Sequence, residues 1–296
     1  QTVMSSKRFP AKLLLFGEYS ILFGGKAVAI PLHLFEGELK TSQSPEYASH
    51  KILRDFFTYC ETYCGDFLDL VNFEYDLSNG LFFDSNIPQG FGLGSSGALV
   101  ASVYDRFKIA KKKYSKIDLM NLFSLMENFF HSKSSGFDPL VSYFRTPLML
   151  EEGRVSTHEK EDYENISFEL FLLDSQVMRK SEHLIKYFKE KLKETDFHHT
   201  FKEQLLPLSN NLITSWVSDP MAIKDEDLRE MSHLEYQLFA PMTPPKIKEI
   251  WQNSLQTKHT VIKLCGAGGG GYFLGFSFDR KETLDLCKNQ GIRFIS

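Results

Sequence analysis

Two stretches of this chain carry glycines at spacings that can hold phosphate. In "GFGLGSSGALVAS", residues 90–102, Gly92, Gly94 and Gly97 spell G-x-G-x-x-G, and in "KLCGAGGGGYFLGF", residues 263–276, Gly266, Gly268 and Gly271 repeat the pattern. Glycines let backbone N–H groups approach an anion, and a helix start adds its positive end. A dinucleotide site would also need a buried strand running into the glycines, a helix leaving them, and an acidic residue about 20 positions on. Only the helix is convincing for the first match. Pro88 and the polar run Asp84–Asn86 read as a loop, and the nearest acidic residue, Asp105, comes too early. The flanks of the second match, "TVIKLC" and "YFLGFSF", read as two strands around a glycine loop. What remains is phosphate chemistry without a Rossmann site.

The elements that hold these loops follow from periodicity. "RFPAKLLLFGEYSILFGGKAVAIPL" predicts two strands and a glycine-rich turn, and "LFEGELKTS" a third strand by its period of two. From Ser95 onward Leu99, Val103 and Phe107 repeat at i, i+4, so a helix leaves the first loop, with Lys111–Lys113 at its end. A second helix starts near Ser115 with Leu119, Leu122 and Met126 on one face. "PLMLEEGRV" reads as a strand turning at Gly153. The charged stretch 156–167 places a domain boundary, giving domains 1–160 and 161–296. Beyond it "FELFLLDS" is a strand, residues 180–194, 197–217, 224–239 and 245–256 are helical, and the chain closes as strand, glycine loop, strand, helix, strand.

Composition narrows the function. The 296 residues are 42% hydrophobic and 24% charged, values of a soluble globular protein, and suffice for one large or two ordinary domains. A net charge of −4 argues against nucleic acid as a partner, since that affinity comes from a basic surface. A small anionic ligand needs only local cations. Cys60, Cys64, Cys265 and Cys287 make no C-x-x-C and no zinc spacing, so buried or idle thiols in a reducing compartment are expected. No apolar run reaches the ~20 residues of a membrane span, and no basic-then-apolar leader opens the sequence; the expectation is a cytoplasmic protein with no membrane contact.

Three segments, taken in order, carry a family resemblance. "PAKLLLFGEYSILFGG" (10–25), "IPQGFGLGSSGALVAS" (87–102) and "KLCGAGGGGYFLGF" (263–276) resemble the three signature motifs of the GHMP kinases. Those enzymes phosphorylate galactose, homoserine, mevalonate and phosphomevalonate. "ENFFHSKSSGFDPLVS" looks most like the mevalonate branch, where a helix ending in a glutamate leads into S-G-x-D. The resemblance implies an α+β fold of two domains: an N-terminal mixed β/α nucleotide-binding domain with its phosphate loop at 88–97, and a C-terminal ferredoxin-like α/β sandwich with a glycine loop at 266–271. It also implies ATP and Mg²⁺ and a small-molecule substrate lying with ATP between the domains; the sequence leaves the oligomeric state open, a homodimer included.

Phosphoryl transfer is mainly positioning and charge neutralisation, with a carboxylate for the attacking hydroxyl. On the resemblance, Pro88, Gly90, Gly92, Leu93, Gly94, Ser95, Ser96 and Gly97 form the ATP loop. Ser96 and Glu127 hold Mg²⁺, the separation of Glu127 from Asp138 matching the mevalonate branch. Asp138 is the catalytic carboxylate and Lys12 its cationic partner. Glu18, Tyr19, Lys263, Gly266, Ala267 and Gly268 face the substrate. Taken singly, Lys12 could be a surface lysine, Glu127 a solvated helix residue, Asp138 a turn former and Lys263 a strand-end lysine. Three features depart from the pattern. Tyr19 stands where histidine is common, and "GEY" also occurs in the phosphomevalonate branch, which leaves phosphomevalonate or a sugar as alternative substrates. Cys265 replaces a frequent Ser or Thr, and Gly97 a usual alanine. A member that only binds a ligand would be expected to have lost the lysine or the carboxylates, whereas Lys12, Glu127 and Asp138 are all present.

Overall fold

In β1, Phe9–Phe16, nearly every side chain is buried, Lys12 among them, so the strand reads as a continuous apolar run instead of an alternation. β2, Ala27–Thr41, is a single strand of 15 residues where the sequence predicts two. β2 also pairs with β1; of its other two ladders, Ala27–Ala29 pair with one neighbour and Gly37–Thr41 with another, and Pro31 lies outside both. The computed structural model describes residues 7–110, 112–158, 166–179 and 181–295. Contacts divide the chain into two units, one of residues up to Leu13, Ile30–Pro88 and Leu93–Pro147, the other of Leu14–Ala29, Gln89–Gly92 and the chain from Leu148 onward. The boundary expected at 160/161 lies outside the described residues.

In the first unit β2 pairs antiparallel with β3, Leu81–Ser85, in the register Gly37↔Ser85 to Thr41↔Leu81. The stretch read as loop before the glycines therefore reaches Ser85 as a strand. Asp84 and Ser85 are exposed at its end, which explains their polarity. Helices α1 (Tyr47–Tyr63), α2 (Leu70–Ser78), α3 (Ser95–Phe107), α4 (Lys116–Glu127) and α5 (Phe137–Phe144) complete the unit. Phe56, Phe73, Phe107 and Phe123 are buried among them, with the Phe73 and Phe107 rings stacked at 4.4 Å. The predicted start of α4 is an N-cap, Ser115 Oγ accepting from Asp118 N–H at 3.2 Å.

In the second unit β4, Leu148–Glu151, pairs with Ala27–Ala29 of β2 and with β5, Arg154–Thr157, across a two-residue turn in which Glu152 and Gly153 both have positive φ. The rest is a βαββαβ array. β6 (Glu169–Asp174) is followed by α6 (Ser181–Lys191), by α7 (Thr195–His199) running through a π-helical stretch, Thr200–Leu205, into α8 (Leu206–Ser218), and by α9 (Asp225–Phe239) and α10 (Pro245–Ser254). β7 (Thr260–Lys263), β8 (Tyr272–Ser277), α11 (Arg280–Leu286) and β9 (Gly291–Ile295) close it. The antiparallel sheet runs β7-β8-β6-β9, the ferredoxin-like order, and the second glycine loop is the β7–β8 connection.

Candidate active site

The first unit gathers one group of functional side chains around the start of α3. Lys12 projects from β1 with only 5% of its surface exposed, its N–H donating to Leu93 carbonyl oxygen at 2.9 Å. Its Nζ stands 2.9 Å from Asp138 Oδ2 in the first turn of α5. The Asp138 side chain stays about one third exposed, at 34%, so it can reach a ligand. Gly94 caps α3 at φ 72°, and a Cβ there would meet Lys12 Cγ at 2.9 Å. A Cβ on Gly97 would lie 2.9 Å from Pro139 N, so glycine lets the first turn of α3 pack on the backbone that carries Asp138. The N–H groups that open a helix and its dipole are suited to an anion, and here they start beside Lys12.

Glu127 ends α4 and is 3% exposed. Its Oε1 accepts from Ser96 Oγ at 3.0 Å, its Oε2 from Ser134 Oγ, and His131 Nε2 lies 3.1 Å from the same Ser96 hydroxyl. Burial pushes the Glu127 carboxyl up to about 7, and the Asp138 charge adds to this against the two serine bonds and Lys12. A cation beside it would favour the ionised form. Ser96 and Glu127 are hard oxygen donors, and Mg²⁺ takes one or two protein carboxylates while keeping waters and substrate phosphates, so the donor set fits that ion. Among the described residues no group of three or more His, Cys, Asp or Glu side chains could hold a metal by itself.

The second unit holds another group. Lys263 is wholly buried and pairs with Glu18, itself 6% exposed. Burial pulls the Lys263 ammonium down, but Glu18 and Glu235 outweigh it and hold it above the ordinary lysine range. Tyr19 has a left-handed backbone, φ 61°, its ring stacked on Phe188 and Phe239 at 4.1 and 5.3 Å and its hydroxyl donating to Ala267 carbonyl oxygen at 2.6 Å. Burial raises the Tyr19 phenol well above its ordinary value; Arg179 opposes the rise while Glu18 and Glu235 add to it. Gly266 N–H is 3.4 Å from Glu18 Oε1, and a Cβ on Gly268 would meet Leu264 at 2.9 Å. Glu18, Tyr19 and Lys263 thus spend their polar atoms on one another and on the glycine loop.

Arg179, just after β6, occupies a slot that two glycines leave open. Its guanidinium lies 2.5 Å from where a Cβ on Gly92 would stand and 2.6 Å from one on Gly266. Nη1 donates to Cys265 carbonyl oxygen at 3.1 Å, and its own N–H donates to Gly90 carbonyl oxygen at 3.0 Å. From the sequence Arg179 is only one of the few cations near the motifs, and Ser134, His131 and Glu235 carry no role. His131 was the most legible of them, four residues past Glu127 inside the segment already singled out.

Comparison with known proteins places this architecture. Residues 59–146 match the GHMP kinases N terminal domain. Over that stretch the chain is similar to the GHMP kinases. The mevalonate kinase of Pyrococcus furiosus is 31% identical over 170 residues, 49% of this chain and 51% of that protein. The chain spans about half the length of the curated relatives it matches. Among solved structures, the Methanococcus jannaschii mevalonate kinase superposes with a TM-score of 0.68 at 18% identity, covering 99% of this chain and 98% of that one. The Streptococcus pneumoniae phosphomevalonate kinase follows with 0.64 at 17%, covering 98% of each. Both share the fold.

Proposed function

We propose that this protein transfers the γ-phosphoryl group of ATP to the terminal hydroxyl of mevalonate, a phosphotransferase with an alcohol acceptor. The observation that carries the reading is the 2.9 Å pair of Lys12 Nζ and Asp138 Oδ2 beside the first turn of α3. Asp138 orients the hydroxyl and accepts its proton. Lys12 neutralises charge that builds on the phosphoryl oxygens, and the N–H groups opening α3 take the phosphates. Ser96 and Glu127 would hold Mg²⁺, which when bound neutralises phosphate charge. Gly266–Gly268 carry the acceptor, and Arg179 offers a guanidinium to its carboxylate.

The relatives named mevalonate kinase favour this acceptor. So does the neutralisation of Lys263 by Glu18, because a phosphorylated acceptor needs further cations. The four cysteines are buried thiols, in keeping with a reducing, cytoplasmic setting. The test is ADP release with ATP–Mg²⁺ and four acceptors side by side. We expect kcat/KM for mevalonate at least about tenfold above that for phosphomevalonate, galactose or homoserine, roughly 1.4 kcal/mol in transition-state binding. A preference for another alcohol overturns the acceptor, and no ADP release with any of them overturns the kinase reading.

A further inference from the structure

β7 leaves its sheet at Lys263, and the chain passes through the fully buried Leu264 into the glycine loop. A peptide group leaving a ladder away from water must find other partners. Leu264 finds them on charged side chains: its N–H donates to Glu235 Oε2 at 2.7 Å, and its carbonyl oxygen accepts from Lys263 Nζ at 2.5 Å. Glu235 belongs to none of the three motifs. It lies on α9 one turn past Ser232, whose Oγ donates to Ile262 carbonyl oxygen at 2.5 Å and accepts from Trp251 Nε1 at 2.9 Å. Two α9 side chains therefore grip the end of β7 at Ile262 and Leu264. The helix beneath them is fixed by the buried Leu228, Met231, Leu238 and Phe239.

We propose that Glu235 is a positioning residue for the phosphoryl acceptor: from α9 it sets Leu264, and through it the loop Gly266–Gly268 on which the acceptor rests. The proposal rests on the acceptor role given to that loop above. A carboxyl group suits the place because it accepts a backbone N–H while sharing the field of Lys263 with Glu18. Burial pushes the Glu235 carboxyl up to about 8; Lys263 and the Leu264 bond oppose this and Glu18 adds to it.

The test combines amide hydrogen exchange with steady-state kinetics on the full chain. Glu235→Ala removes the acceptor of the Leu264 N–H, so exchange across Leu264–Gly268 should quicken by about tenfold or more. KM for mevalonate should rise about tenfold, with kcat and the KM for ATP within about threefold of wild type. Glu235→Gln keeps an oxygen for that N–H and should hold exchange within about threefold of wild type. Glu235→Asp, which retracts the oxygen by one methylene, gives the same reading as alanine should the alanine chain not fold. Unchanged exchange in the alanine or aspartate chain, glutamine exchanging as fast as alanine, or a loss confined to kcat would each overturn the proposal. The exchange arm needs no substrate. If it responds as expected while the wild type phosphorylates no alcohol, the acceptor role falls and the anchoring of Leu264 stands; if phosphorylation proceeds and exchange does not respond, only Glu235 loses its role.

Discussion

Glu18 and Lys263, 245 residues apart in the sequence, meet as an ion pair closed off from solvent. A buried pair is costly to break on one side, because the remaining charge stays desolvated. We expect Glu18→Ala to lower stability by about 3–5 kcal/mol, read by urea unfolding. A residue whose main work is on substrate would instead cost KM and leave the unfolding midpoint in place; that result would remove the structural role given to the pair.

In the proposed function the Ser96 hydroxyl and the Glu127 carboxylate, 3.0 Å apart, share one cation. Glu127→Gln and Ser96→Ala should each raise the Mg²⁺ concentration for half-maximal rate, by about tenfold for the glutamine, where a formal charge is lost. Two Mg²⁺ titrations that overlay wild type would move the metal elsewhere.

Glu235 makes stability depend on pH. Its folded-state carboxyl titrates at about 8 against an ordinary 4.5, so the native state keeps a proton that the unfolded chain releases between those values. Stability attached to this group is whole below pH 4.5 and is lost as pH rises toward 8. Between pH 6 and pH 8.5 the melting temperature of wild type should fall by at least about 2 °C more than that of Glu235→Gln, the shift that ~1 kcal/mol makes in a chain of this size. Parallel falls in the two proteins would show that Glu235 is not the group responsible.

What the sequence revealed here was local. Ser95 opens α3 and Ser115 caps α4 where the pattern of apolar residues and caps places them, and the closing strands and helices lie where periodicity puts them. α1 is not among the elements expected above, although Leu53, Phe56, Phe57 and Cys60 fall on one helical face and are buried. Other features were not local at all. Nothing near Glu18 announces Lys263, and nothing near Gly97 announces that Pro139 N would stand 2.9 Å from a Cβ there. Glu235 left a trace that only burial makes meaningful, a carboxylate among Met231, Leu238 and Phe239 on the inner face of α9.

The account turns on Asp138, held 2.9 Å from Lys12 and still open to solvent on one side. Asp138→Asn preserves the shape and removes the charge that, in the proposed mechanism, orients the hydroxyl and accepts its proton. With mevalonate and saturating ATP–Mg²⁺, turnover should fall by a factor on the order of 10² or more, while ATP affinity measured by titration calorimetry stays within about threefold of wild type. Turnover by Asp138→Asn close to the wild-type value would contradict the mechanism.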